Sequence, residues 1–245
     1  MTPDIAAEVI AMRPNIAAEE NYRFLDKCQL FGALDDGAKR ALTAHAYRRR
    51  FTPGETIFSI GAPGISMMAV CSGTVRITFP STTGKEIILT DLSGGEVFGE
   101  ISVLDGSARS ANAISLTQCE LLILERRDLV PFLESNPHIC MKLLAVLCGR
   151  LRRTNDLMAD IAFYDLPKRL AKQLLRLRTT LSDGMDSQPK MRLSCSQNEL
   201  ANMIGASREN VNRCLKDWQR RGVVNVDDGS IVLTNLPDLE KLADA

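Results

Sequence analysis

Residues 136–165 read NPHICMKLLAVLCGRLRRTNDLMADIAFYD, with Pro137 at the entrance and the next proline only at Pro167. Proline fits the first turn of a helix and is disfavoured in its interior, so the stretch predicts one uninterrupted helix of many turns. Along it Cys140, Leu144, Leu147, Leu151, Thr154, Met158 and Ile161 recur at spacings of four and three. That is the heptad seam by which a helix packs against a copy of itself, or else the inner face of one more buried core helix, and the flanking segments favour the seam. Thr154 is the polar member and is followed by Asn155; the pair is either a register device or part of a site that holds something polar. Ile139, Leu143 and Val146 form a second stripe, placed to pack on the helix's own domain.

A chain of 245 residues suits two modest domains, each able to bury a core. The formal net charge of zero hides a split. Residues 1–165 carry 17 Lys+Arg against 20 Asp+Glu, whereas 166–222 carry 12 against 5, a local +7 that attracts a polyanion. The seven cysteines are scattered without a CxxC pair, and no signal segment or bilayer-length apolar run is present, which predicts a soluble, cytoplasmic protein with reduced thiols. His45 and His138 are the only histidines, too few for a cupin-type metal site, and no Ser/His/Asp or Cys/His constellation suggests an enzyme. With Cys28 alone near the N-terminus, an iron–sulfur cluster is not expected, and no metal is predicted.

In chain order, Thr2-Pro3 opens a short helix that Arg13-Pro14 ends, and two further helices are expected over 16–28 and from Asp35. From Phe51 to Arg126 the runs TIFSI, MMAV, VRITF, EIILT and CELLILE alternate with Gly- and Pro-containing turns, the pattern of an antiparallel roll or barrel. Gly54, Gly61, Gly64, Gly73 and Gly84 are expected to serve turns with φ > 0. VFGEISVLDGSARSANA is too long for a hairpin turn. Its Glu100, Arg109 and Ser110 either form a salt-bridged surface loop or cap a pocket, with a short helix over 100–104 and Arg109 facing a phosphate.

Beyond the long helix, 163–167 reads as a hinge, and Leu170, Leu174, Leu177 and Leu181 mark an amphipathic helix over 168–181. Ser196 and Glu199 form a capping box, Gly205 permits a tight turn, and Ser207 caps a second helix packed through Val211, Cys214, Leu215 and Trp218. Arg208, Glu209, Asn212 and Arg213 lie near that helix's start, as in the recognition helix of a helix-turn-helix. VVNVDDGSIVL, turning at Asp228-Gly229, supplies a wing, and a last helix follows Pro237.

This order resembles the cyclic-AMP receptor protein branch of the CRP/FNR transcription regulators over roughly residues 25–235. Two motifs carry the likeness: FGEISVLDGSARSA is similar to the branch's phosphate-binding cassette, and SRENVNR to its recognition helix. The resemblance implies an α+β protein: an N-terminal cyclic-nucleotide-binding β-roll, jelly-roll-like, then a long dimerisation helix and a C-terminal winged helix-turn-helix. The expected divisions are an extension over 1–24, the roll over 25–135, the dimerisation helix and hinge over 136–165, and the DNA-binding domain over 166–245.

It further implies that Gly99 and Glu100 hold the ribose and Arg109 and Ser110 the cyclic phosphate, with Ile101 and Ala111 in the same cassette. Thr154 would meet the purine, Asn155 the nucleotide of the partner subunit, and Arg150 would approach the pocket. The best-known family member has Thr-Ser where this chain has Thr154-Asn155, which leaves cyclic AMP or cyclic GMP as the effector. On DNA, Arg208 and Arg213 would bond guanines and Glu209 a cytosine N4 in a TGTGA-like half-site. Ser196 and Gln197 would approach phosphates, with Ser207 and Asn212 also in the DNA-binding set, while Lys190, Arg192 and Lys216 are either further phosphate contacts or, as the better reading of each, solvated surface charge. A homodimer on a palindrome, with RNA polymerase as a further partner, completes the expectation. The alternative keeps DNA binding with no nucleotide requirement, or with thiol sensing through Cys195 or Cys214.

Overall fold

A computed structural model describes residues 18–81, 86–181, 191–227 and 230–244. The expected helix over Thr2–Arg13, Gly84, the loop containing Lys190 and the Asp228-Gly229 turn lie outside the described residues. Two compact units form, one of residues up to 79 with 90–149 and one of 80–89 with 150 onward, so the division passes through the long helix.

The first unit opens with α1, helical over 18–27, and α2 (Asp36–Thr43), whose N-cap Asp35 accepts from the Ala38 amide. Strands β1 (Tyr47–Phe51), β2 (Thr56–Phe58), β3 (Ser66–Ser72), β4 (Val75–Pro80), β5 (Glu86–Leu92, which begins within the 80–89 segment assigned to the second unit), β6 (Val97–Phe98), β7 (Asn112–Ser115) and β8 (Cys119–Glu125) follow, with α3 (Glu100–Asp105) between β6 and β7. They make two four-stranded sheets, β1-β8-β3-β6 and β2-β7-β4-β5, the two halves of the expected roll.

Alternation explains why β3 and β8 read as continuous apolar runs. Met68, Val70, Leu121 and Ile123 point into the roll with Phe51, Val75 and Phe98. Their neighbours Met67, Ala69, Leu122 and Leu124 pack on a helical layer containing Phe24, Leu25, Leu129 and Leu133. Both faces of these strands are therefore buried. The layer includes α4 (Arg126–Ser135) and the start of α5 (Pro137–Phe163), whose Ile139 and Leu143 are buried in it as the second stripe predicts.

Gly54, Gly61 and Gly73 adopt positive φ as expected. Gly64 does not; it is constrained by space, because a Cβ there would lie 2.0 Å from the Ser102 Cβ of α3.

In the second unit α5 runs on to Phe163 and α6 (Leu166–Leu181) begins after two residues, so the hinge is short. Asp165 caps α6, accepting from the Lys168 amide at 3.0 Å. Beyond it come β9 (Met191–Leu193), α7 (Gln197–Ile204), α8 (Arg208–Arg220), β10 (Val224–Asp227), β11 (Ser230–Leu233) and α9 (Leu236–Asp244). Leu170, Leu174, Leu200, Val211, Leu215 and Trp218 share one core. A three-stranded sheet ordered β10-β11-β9 completes it, with Asp227 facing Ser230 at the wing tip.

Candidate functional site: a buried arginine cassette and a recognition helix

Strand β6 ends in Phe98, and Gly99 then takes φ +76°, a left-handed conformation that turns the chain directly into α3. A Cβ on Gly99 would also lie 2.6 Å from Arg109 Nη1, so glycine is required twice over. Glu100 opens α3 and is buried, Ile101 is 42% exposed, and Gly106 (φ +76°) ends the helix.

The segment then returns past Arg109. The Arg109 amide donates to Ala62 O and its carbonyl accepts from the Gly61 amide, both at 2.8 Å. The guanidinium is almost fully buried, at 4% exposure for the residue. Nη1 donates to Gly99 O at 2.9 Å and Nη2 to Ser66 Oγ at 3.1 Å, while Cζ lies 4.2 Å from the centroid of the Phe58 ring. Its Nε is buried without a hydrogen-bond partner among the described residues. Burial pushes the Arg109 pKa down, and the nearby Glu100 carboxylate opposes that shift.

A buried cation with a donor to spare has the chemistry to pair with an anion. Next to Arg109 in the chain, Ser110 is exposed and Ala111 is buried. The predicted residues 99–101 and 109–111 are thus gathered in one segment. Phe58 and Ser66, which hold the guanidinium, were not legible beforehand. They lie more than forty residues earlier in the chain, and no local spacing connects them to Arg109.

Arg150, Thr154 and Asn155 lie on the part of α5 in the second unit. The Thr154 hydroxyl donates to Arg150 O at 3.0 Å, a local bond that leaves its lone pairs available. On the seam Leu144, Leu151, Met158 and Ile161 are 50, 61, 64 and 41% exposed in the single chain.

The helix-turn-helix is built by capping. Ser196 Oγ accepts from the Glu199 amide at 3.2 Å and Glu199 Oε2 from the Ser196 amide at 2.9 Å. Gly205 takes φ +62°, and Ser207 Oγ accepts from the Asn210 amide at 3.3 Å to start α8. Helix α8 buries Val211, Leu215 and Trp218 at helical spacing, and this turns Glu209 and Arg213, four residues apart, to the opposite face. Arg208, Glu209 and Arg213 are exposed, Asn212 half-buried, and Gln197 half-buried at the start of α7.

Lys216 is an exposed charge as read from sequence, but Arg192 has another task. It donates to Ser230 Oγ at 2.8 Å and Asp227 Oδ2 at 2.7 Å, pinning both strands of the wing.

Known proteins match both halves. Residues 48–136 match the cyclic nucleotide-binding domain family and residues 168–242 the Crp-like helix-turn-helix domain family. A CRP-like cAMP-activated global transcriptional regulator of Mycobacterium tuberculosis is 34% identical over 219 residues, covering 89% of this chain and 96% of its own.

The chain belongs to the CRP/FNR family.

Its members are transcription regulators, and this CRP/FNR protein is a DNA-binding regulator with a cyclic nucleotide-binding domain, not an enzyme. The cyclic AMP receptor protein of Thermus thermophilus is 34% identical over 196 residues, covering 80% of this chain and 88% of its own. Among solved structures, the c-di-GMP responsive global regulator CLP of Xanthomonas campestris is similar, with TM-score 0.74 and 28% identity, covering 81% of this chain and 99% of that one. Among the described residues no group of His, Cys, Asp and Glu could hold a metal, and no helix is long and apolar enough to cross a membrane.

Proposed function

We propose that this CRP/FNR protein is a cytoplasmic homodimer that binds a TGTGA-like palindrome under the control of cyclic AMP. The carrying observation is Arg109: a buried guanidinium, fixed on Gly99 O and Ser66 Oγ, whose Nε has no protein partner among the described residues. An anionic cyclic phosphate fits that donor, with Ser110 beside it and Gly99 and Glu100 on the sugar. Thr154 and Asn155 supply hydroxyl and amide groups for the purine, in one subunit and across the dimer. The choice of cyclic AMP over cyclic GMP draws support from the two 34%-identical relatives, a cAMP-activated regulator and a cyclic AMP receptor protein.

The exposed seam from Leu144 to Met158 supports the dimer, because an apolar helical stripe of this length is costly in water. Two copies of α8 then enter successive major grooves, about one helical turn apart. Arg208 and Arg213 donate to guanine edges and Glu209 accepts from cytosine; Ser196, Gln197 and Ser207 approach phosphates, with Asn212 beside them. The functional parts are the roll over 25–135, the helix and hinge over 136–165, and the DNA domain from 166, preceded by an extension over 1–24. Nucleotide binding shifts the population toward the DNA-competent arrangement by as much as it prefers that state, and RNA polymerase reads the result.

Calorimetry on the folded dimer tests the effector. Heat with cyclic AMP is expected. No heat with cyclic AMP, cyclic GMP or cyclic di-GMP would overturn nucleotide control, and stronger binding of cyclic GMP would reverse the choice of purine.

The thiol-sensing alternative meets a physical obstacle at α8. Burial, aided by the Asp217 and Asp165 carboxylates, pushes the Cys214 thiol up to about 11. Near neutral pH almost none of it is thiolate, the reactive form. Alkylation at pH 7.5, followed by peptide mass spectrometry, is expected to modify Cys214 about two orders of magnitude more slowly than an unperturbed peptide thiol. A comparable rate would restore the thiol switch.

A further inference from the structure

We propose that Phe58 is a positioning residue for nucleotide recognition: its ring is the platform that sets the plane of the Arg109 guanidinium and so aims the unpartnered Nε edge at the ligand phosphate. The inference deepens the cyclic-nucleotide reading and rests on it for its ligand.

Arginine has a long side chain whose directional strength lies in a planar fork; a fork that can rotate donates to a phosphate no better than a mobile point charge. Two hydrogen bonds from the Nη atoms, to Gly99 O and Ser66 Oγ, fix in-plane positions. Both acceptors could still be served by a fork tilted about the line joining those atoms. The Phe58 ring removes that freedom, because the guanidinium carbon sits 4.2 Å from its centroid, where the ring's negative face attracts the cation.

The platform is itself rigid. Phe58 stands on β2 opposite Ala113 of β7, and its ring meets that of Phe98 at 5.8 Å and 35°. Phe98 is 1% exposed and immediately precedes Gly99, the acceptor for Nη1. One short segment thus holds Arg109 in two ways, through its backbone at Gly61 and Ala62 and through its side chain at Phe58 and Ser66. The energetic logic is preorganisation: binding an anion then costs little further ordering of the side chain.

The test compares Phe58→Leu, which keeps apolar bulk without the aromatic face, with Phe58→Tyr, which keeps the face. Thermal melts confirm that each variant folds. Calorimetry with cyclic AMP, and competition with adenosine, which lacks the phosphate, supply the readout. Phe58→Leu is expected to weaken cyclic AMP about tenfold, the cost of ordering a freed arginine side chain on binding, and to leave adenosine unchanged. Phe58→Tyr is expected to restore cyclic AMP to within threefold of the parent. Unchanged cyclic AMP affinity in Phe58→Leu, or equal losses for cyclic AMP and adenosine, would overturn the proposal.

A second measurement separates it from the effector assignment. In nitrogen-15 spectra of the ligand-free protein, with Arg109 assigned through Arg109→Lys, restricted guanidinium rotation is expected in the parent and Phe58→Tyr and free rotation in Phe58→Leu. Identical rotation in the parent and Phe58→Leu removes the positioning role whatever nucleotide binds. A parent that binds no cyclic nucleotide, yet shows the rotation difference, removes the effector and leaves the platform.

Discussion

Arg109→Leu is expected to lower cyclic AMP affinity by about 3–5 kcal/mol, roughly two to four orders of magnitude, while the protein remains folded. The loss is large because the guanidinium is the one buried cation of the cassette and its hydrogen bonds to a phosphate are charge-assisted. Stability responds differently. Burial disfavours the charged form of Arg109, so an apolar side chain relieves a desolvation cost. Against that gain, Gly99 O and Ser66 Oγ lose their donors. The two effects oppose each other, and a net change within about 2 kcal/mol follows. Calorimetry paired with thermal melts reads both quantities. A variant that binds cyclic AMP within threefold of the parent would show that the cassette is not the phosphate site.

The second large effect belongs to the hinge. Asp160, near the end of α5, is 5% exposed and carries two cations from α6: Lys172 Nζ meets Oδ1, and Arg176 Nη2 meets Oδ2 at 2.9 Å. Lys172 also lies 4.5 Å from the Tyr164 ring centroid and Lys168 lies 4.2 Å from it, so the two-residue joint is held from several sides. Ile161 Cδ1 would lie 3.3 Å from a Cβ on Gly205, which brings the last turn of α5 against the turn of the helix-turn-helix.

Asp160→Ala is therefore expected to destabilise this unit by about 2 kcal/mol. That is less than for a fully buried pair, because both cations retain access to water. DNA affinity of the nucleotide-bound protein should fall about tenfold, since in the proposed dimer two α8 helices on loosened joints must be ordered when they engage successive grooves. Nucleotide affinity should be unchanged. Melting curves, calorimetry and DNA-binding anisotropy measure the three quantities, and DNA affinity and melting temperature both equal to the parent's would deny the clamp a role.

How legible these parts were depends on whether their cause is local. Helix α5 follows from where prolines are absent, and the cap of α7 from Ser196 and Glu199 standing three apart. Strand β1, YRRRF, precedes the run of β-type segments expected from Phe51, because three successive arginines mask the apolar alternation of a strand. Its arginines belong to a sheet because Arg48 and Arg50 both bond Glu120 on the adjacent β8, at 2.5 and 3.0 Å. Burial tends to raise the Glu120 carboxyl, but those arginines prevail and hold it below its usual range. Helix α4 was obscured by Pro131; burial of Leu129 and Leu133 outweighs the lost backbone bond.

The same distinction runs through the site. Residues 99–111 form one contiguous segment and could be read together, whereas Phe58 and Ser66 reach Arg109 only after the roll has closed. Asp160 looks like one more solvated charge on a heptad helix until α6 folds back with Lys172 and Arg176.

The central claim, that a cyclic nucleotide controls DNA binding, is tested most directly by fluorescence anisotropy of a labelled TGTGA palindrome titrated with this protein at fixed salt, without nucleotide and with saturating cyclic AMP. The expected result is at least tenfold tighter binding with cyclic AMP, lost in Arg109→Leu. Equal affinity with and without nucleotide, or a gain that survives in Arg109→Leu, would contradict it.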